Sequence, residues 1–165
     1  MNIERLTSQF RSALMEAQSL ALGYEHPSVD PIHVLSSLIK QNEGAVIPIL
    51  NQLGVDITKL ETQITKLLES MPKVSGQKGD ISVSRNLQRM FNLADTASQK
   101  RQDQYISSDL FILSSLSIGD DPMVKLLTQT GTTESGFKHA MDKVRSGKKI
   151  DSHNESTPSQ ILERY

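Results

Sequence analysis

The sequence predicts an all-α fold, a pseudo-twofold tandem of two four-helix repeats, and three observations lead to it. Residues 1–147 contain an internal repeat, in which Thr7 of the first copy corresponds to Ser84 of the second, 77 positions later. The string LSSL occurs at 35–38 and again at 113–116. Apolar residues in both copies recur with the spacing of amphipathic helices. Because an internal repeat constrains architecture more strongly than local propensity does, we expect two similar helical units in one domain.

The first repeat is predicted to contain four helices, each opened by a residue that favours a helix start. Threonine and aspartate are good N-caps, and proline is tolerated in the first turn. The first helix is expected to end near Leu22, where Gly23 terminates it. The predicted starts are, in order, Thr7, Asp30-Pro31, the residues after Gly44, and Asp56.

The second repeat follows a polar, glycine-containing connector over 71–83 and is predicted to repeat the same four helices. Its predicted starts are, in order, Ser84, Ser108, Asp121-Pro122 and Thr133. The helical pattern fails from Ser146 onward. We therefore expect residues 1–147 to form the folded domain and residues 148–165 to form a linker.

Composition excludes several classes of function. The net charge is −1, so neither nucleic acid nor an anionic membrane surface is the expected partner. The chain has no cysteine, which rules out disulfides and thiolate chemistry. Aromatic residues make up 4% with no tryptophan, which argues against a base-stacking surface. No signal-peptide pattern or membrane-length apolar run occurs, and a cytoplasmic location is expected.

No catalytic or metal-binding motif is present in the sequence. The four histidines show no H-E-x-x-H spacing, so no zinc site is expected. No G-x-S-x-G nucleophile motif occurs. Gly147-Lys148-Lys149 lacks the upstream glycine and the Ser/Thr of a phosphate-binding loop. A stand-alone enzyme is thus the weakest functional hypothesis, and no metal or cofactor is expected in this chain.

Three segments resemble the N-terminal domain of Clp-family ATPases, and ClpB-type protein disaggregases most closely. They are LTSQFRSALMEAQSLALG, DPIHVLSSLI and SQKRQDQYISSDLFILSSL. The resemblance covers about residues 1–147, and family members fold this domain as two four-helix repeats. It implies an accessory domain joined by its linker to a first ATPase module absent from this chain. ATP and Mg²⁺ would bind in those absent modules.

The resemblance also implies partners. The domain would bind unfolded or aggregated protein clients weakly and pass them to its own hexameric ATPase ring. An Hsp70-type chaperone system would act through other domains, and the isolated domain would be monomeric. An alternative within the same family is a docking domain for adaptor proteins, as in the protease-linked Clp ATPases.

Three polar residues become candidates for client binding through the resemblance. In the family a threonine of the first helix, an aspartate and an acidic residue at the start of the sixth helix are implicated. They correspond to Thr7, Asp103 and Asp109. The family commonly has glutamate at the last position, and aspartate is one methylene shorter. From the residues alone, Thr7 and Asp109 are equally well explained as stabilising groups at helix N-termini.

An apolar groove is the remaining candidate. Leu93 lies at the margin of the apolar face of its helix, and its counterpart in the first repeat is Glu16. A charged counterpart indicates partial exposure of Leu93. The family pattern places Phe91 and Leu110 nearby, in a groove expected to be rimmed by Asp103 and Asp109. Such a groove suits extended polypeptide, although Phe91 and Leu110 could equally be core residues.

Overall fold

A computed structural model describes residues 3–75, 81–146, 150 and 152–155. Within these residues the chain forms a short 3-10 turn at Ile3–Arg5, eight α-helices and two strands of two residues each. The first repeat contains α1 (Ser8–Gly23), β1 (Ser28–Val29), α2 (Pro31–Leu38), α3 (Val46–Gln52) and α4 (Ile57–Ser70). The second contains β2 (Ser82–Val83), α5 (Arg85–Lys100), α6 (Ser108–Ser115), α7 (Pro122–Gln129) and α8 (Glu134–Arg145).

The all-α tandem repeat predicted from the sequence is confirmed, and corresponding caps behave alike. The Thr7 and Ser84 hydroxyls each accept a hydrogen bond from the backbone N–H three residues later. Gly54 and Gly131 follow α3 and α7 with φ of 77° and 91°, a left-handed conformation that glycine adopts without strain. The first helices of the two repeats therefore share the same kind of start, and α3 and α7 share the same kind of stop.

The short strands were not predicted, and they interlock the two repeats. β1 pairs with β2 in parallel, with Ser28 opposite Ser82. A second parallel bridge joins Leu6, before α1, to Ile106, before α6. Each pairing joins the residues before the first helix of one repeat to those before the second helix of the other. Two-residue strands lack a readable alternation of polar and apolar residues, which is why the sequence did not predict them.

The core contains aromatic residues from both repeats. The rings of Phe10, Phe91 and Phe111 lie with centroids 5.0–5.9 Å apart in tilted arrangements. Tilted pairs at these separations are favourable beyond the apolar area that they bury. Among the described residues, no helix has both the length and the apolar character needed to cross a membrane.

Part of the predicted linker packs against the domain. The Ile150 carbonyl accepts hydrogen bonds from the N–H groups of Gln104 and Tyr105, at 2.9 and 3.3 Å. We call residues 152–155 the tail segment, and its Glu155 side chain is buried. The sequence did not predict this contact. A linker-like composition does not show which distant residues a segment bonds in the folded chain. Residues 148, 149, 151 and 156–165 lie outside the described part.

Candidate functional site

A buried ion-pair cluster lies at the start of α6. Arg145, the last residue of α8, donates to Asp109 through Nε and Nη2, both at 2.9 Å. Its Nη1 donates to Asp103 at 3.1 Å, and its Nη2 also donates to the Ser107 hydroxyl at 2.8 Å. Asp103 and Asp109 are 5% and 1% exposed. Both carboxylates are therefore occupied by an arginine from another helix.

The charges of this cluster stabilise one another. Burial alone would raise the pKa of Asp109, but the Arg145 guanidinium and several hydrogen bonds hold it below its usual value. Burial would lower the pKa of Arg145, whereas Asp109 and Asp103 raise it. Asp109 and Arg145 thus remain charged at neutral pH, and the pairing of a planar guanidinium with a carboxylate fixes the geometry.

Thr7 lies beside this cluster and is fully buried. Its hydroxyl accepts a 3.3 Å hydrogen bond from the Phe10 N–H and donates to the Glu155 carboxylate. Burial raises the pKa of Glu155, the negative charge of Asp109 adds to this, and hydrogen bonds from Thr7 and Ser108 partly offset the effect. Thr7 is consequently covered by the tail segment.

An apolar groove lies on a different face, and its volume is about 310 Å³. Buried residues form its floor, and three exposed apolar side chains rise along it: Ile3, Met15 and Val83, with exposed fractions of 53%, 67% and 44%. Polar groups are few, with Arg11 and Gln18 at the margin. The floor residues are Leu6, Val29, Ile81, Leu87 and Phe91, and partly buried Leu14 completes the lining.

The structure separates the predicted site residues into four places. Asp103 and Asp109 are held together by Arg145 in the ion-pair cluster, Thr7 lies beside this cluster, and Phe91 lines the apolar groove. Leu110 is fully buried in the core, while Leu93 is 41% exposed on α5 outside the groove lining. The prediction that Phe91 and Leu110 line one groove rimmed by Asp103 and Asp109 is therefore wrong. The physical reason is that Arg145 draws both carboxylates inward.

Sequence reasoning missed Arg145, Glu155 and Met15. Arg145 resembled an ordinary basic residue in the last helical turn, and Glu155 lay in a linker by composition. Met15 offered a signal, because it stands outside the helical spacing of the buried α1 residues Phe10, Ala13 and Ala17. An apolar residue off the buried face of its helix is a candidate for an exposed contact.

A buried histidine pair was also missed. His33 Nδ1 accepts the Asp30 N–H at 2.8 Å, so its Nε2 carries the proton and donates to His26 Nδ1 at 2.8 Å. His26 Nε2 then donates to the Leu68 carbonyl at 3.1 Å. Burial lowers the pKa of His33 to about 4, with the nearby His26 acting in the same direction and Asp30 against it. The pair connects α2 and α4 within the first repeat and has a structural role.

Comparison with known families agrees with this architecture. The family model described as the Clp repeat (R) N-terminal domain matches residues 5–130, which is more than half of the chain. The chain belongs to this family.

Individual relatives refine the assignment. The chaperone protein ClpB of Vibrio vulnificus is 39% identical over the whole chain, and that of Pseudomonas putida is 36% identical. The chain spans 19% of the length of these relatives. The Hsp104 N-terminal domain of Candida albicans superposes with a TM-score of 0.79 at 18% identity, covering 92% of this chain and 99% of that chain. The chain thus corresponds to the N-terminal domain of ClpB-type proteins and shares its fold with the Hsp104 N-terminal domain.

A further solved neighbour is a complex of the ClpV N-domain with a VipB peptide. It superposes with a TM-score of 0.69 at 23% identity and covers 85% of this chain and 86% of that chain. The likeness shows that the fold is shared with a domain that binds a peptide.

Proposed function

We propose that this domain binds exposed apolar segments of unfolded or aggregated protein clients and passes them to the ATPase ring of a ClpB-type disaggregase. Residues 1–147 would form the binding domain and residues 148–165 the start of the linker to that ring. ATP and Mg²⁺ would bind outside this chain, and the ring would be hexameric. An Hsp70-type system would act through other domains, and the protein would be cytoplasmic.

The apolar groove between α1, α5 and the two strands carries this proposal. Unfolded clients share exposed apolar side chains rather than a common sequence, so their receptor needs apolar surface and few fixed polar contacts. The groove supplies both, and Met15 adds a flexible side chain that adapts to different shapes. The peptide complex of the ClpV N-domain supports a peptide-binding role for the fold.

One small groove should bind weakly, with a dissociation constant on the order of micromolar or poorer. Weak binding suits a domain that must release its client to a ring. Several copies in one ring would raise the overall affinity through avidity.

Met15→Glu tests the groove, with Val74→Glu as its matched control. Met15 is 67% exposed within the groove lining, whereas Val74 is 39% exposed outside it. We expect Met15→Glu to weaken binding of a fluorescent, permanently unfolded client about tenfold, because a charge would face apolar client side chains. Val74→Glu should bind normally. Equal binding by both variants would contradict the proposal, and binding only of folded adaptor proteins would favour the adaptor-docking alternative.

A further inference from the structure

The tail segment bends at Ser152 and His153 and lies across the start of α1. The Ser8 N–H donates to the His153 carbonyl at 2.7 Å, and the Glu155 N–H donates to Gln9 Oε1 at 2.9 Å. Gln9 Nε2 donates to Asn154 Oδ1 at 2.9 Å. Two of these bonds reach the backbone of the tail segment, at His153 and Glu155, and so do not depend on its side chains.

The Glu155 side chain enters a pocket of hydrogen-bond donors from Thr7, Ala45 and Ser108, which we call the carboxylate pocket. Its Oε2 accepts from the Ser108 N–H and hydroxyl, both at 2.8 Å, and from the Thr7 hydroxyl. Its Oε1 accepts from the Ala45 N–H at 3.2 Å. With Glu155 only 4% exposed, the pocket encloses the carboxylate.

The pseudo-twofold repeat shows that this pocket lacks a carboxylate of its own. Asp121 stands before α7 in the second repeat, and its carboxylate accepts the Met123 N–H at 2.8 Å. The residues at the matching place before α3 are Gly44 and Ala45, and neither has a side chain that can accept a bond. Glu155 supplies the missing carboxylate from a segment far away in sequence. The pocket is therefore built to receive a carboxylate that arrives from elsewhere.

All four donors to Glu155 are uncharged groups, and the neighbouring Arg145 is already held by Asp103 and Asp109. Burial and the negative charge of Asp109 act against the ionised form of Glu155. A carboxylate from another chain can accept the same four bonds and meets the same burial and charge. Its competition with the tail is therefore decided by the tether that keeps Glu155 beside the pocket.

We propose that the carboxylate pocket is a receptor for an acidic segment of another protein chain, and that the tail segment occupies it as an internal competitor. An incoming acidic segment displaces Glu155 and takes over its hydrogen bonds. Displacement releases the tail segment, so that binding in the carboxylate pocket affects the chain that follows residue 155. This site is separate from the apolar groove and recognises a different chemistry.

A peptide competition measurement tests the proposal. The probe is a fluorescent capped peptide with the sequence of residues 150–155, and its control carries glutamine in place of the final glutamate. Glu155→Gln in the protein should weaken docking of the tail and raise affinity for the acidic probe about tenfold over the unsubstituted chain. The glutamine probe should bind at least about tenfold more weakly than the acidic probe. The matched variant Glu61→Gln, at an exposed position of α4, should bind like the unsubstituted chain.

Amide NMR gives a second, independent readout. In Glu155→Gln the Ser108 and Ala45 amides should shift and exchange with solvent faster, and the acidic probe should reverse both changes. Ser108→Ala combined with Glu155→Gln should lower probe affinity again. Unchanged Ser108 and Ala45 amides in Glu155→Gln, equal binding of the two probes, or no binding of the acidic probe to Glu155→Gln would each overturn the proposal. None of these outcomes bears on the apolar groove.

Discussion

Arg145 and Asp109 form a two-point ion pair that fastens the end of α8 to the first turn of α6. Both N–O distances are 2.9 Å, and the side chains are 7% and 1% exposed. The same guanidinium reaches Asp103, so two residues implicated in client binding by the family resemblance are structural partners here. An effect of substituting either aspartate on client binding must therefore be separated from an effect on folding.

Arg145→Met should destabilise the domain strongly. Removing the guanidinium leaves Asp103 and Asp109 buried without their cationic partner, and such a loss typically costs about 3–5 kcal/mol. Urea unfolding measures the change. The control is Arg101→Met, because Arg101 pairs with the half-exposed Asp142 and should cost under about 1 kcal/mol. Similar losses for the two variants would contradict the structural role assigned to Arg145.

Thr7→Ala should cost more stability than its repeat counterpart Ser84→Ala. Both hydroxyls cap a helix, and losing a cap costs about 1 kcal/mol. Thr7 is also fully buried and donates to Glu155, which adds a second lost bond. Thermal unfolding of the two variants compares them directly. Collapse of client binding in Thr7→Ala at an unchanged melting temperature would instead show that Thr7 contacts clients.

Acid should destabilise the domain through His33. Its pKa is lowered to about 4 in the folded state, so the unfolded chain binds a proton first as the pH falls below 6.5. Stability is thus fully present above pH 6.5 and is lost progressively toward pH 4, by about 3 kcal/mol from this residue. NMR titration of the His33 ring checks the value. A midpoint near 6.5 would contradict it. His139→Asn is the control, because His139 is exposed and its replacement should leave the stability of the domain unchanged.

Leu93→Glu tests the surface of α5. Leu93 is 41% exposed, so the fold should tolerate the change with a loss under about 1 kcal/mol. Weaker binding of unfolded clients at near-normal stability would extend the binding surface from the groove onto α5. A loss of several kcal/mol would contradict the exposure, and normal binding would confine the site to the groove.

The helices were predictable because their signals are local. Caps such as Thr7 and Ser84 and stops such as Gly54 and Gly131 act within a few residues, and the repeat supplied each signal twice. The ion-pair cluster and the contact between Thr7 and Glu155 were not predictable in the same way. Arg145 meets Asp109 across 36 positions, and Glu155 meets Thr7 across 148 positions. Nothing in local spacing pairs one arginine or glutamate with a particular distant partner.

The apolar groove shows an intermediate case. An exposed apolar surface involving α5 was expected, and Phe91 does line the groove. Its other wall comes from α1 and from the strand residues Val29 and Val83, whose pairing the sequence did not reveal. Phe91 therefore lies in an apolar groove, the other residues of this groove depend on how the repeats interlock, and client binding there stays a prediction.

The most direct test of client binding by the groove is an amide NMR titration of the domain with a permanently unfolded client protein. If the groove binds the client, the amide signals of four groove residues in the unsubstituted domain should shift progressively as client is added: Leu14, Met15, Val83 and Leu87. These shifts should be lost in Met15→Glu. Shifts confined to other faces, such as the cleft around Asp30 and Asp121, with no change at Met15 or Val83, would contradict the account.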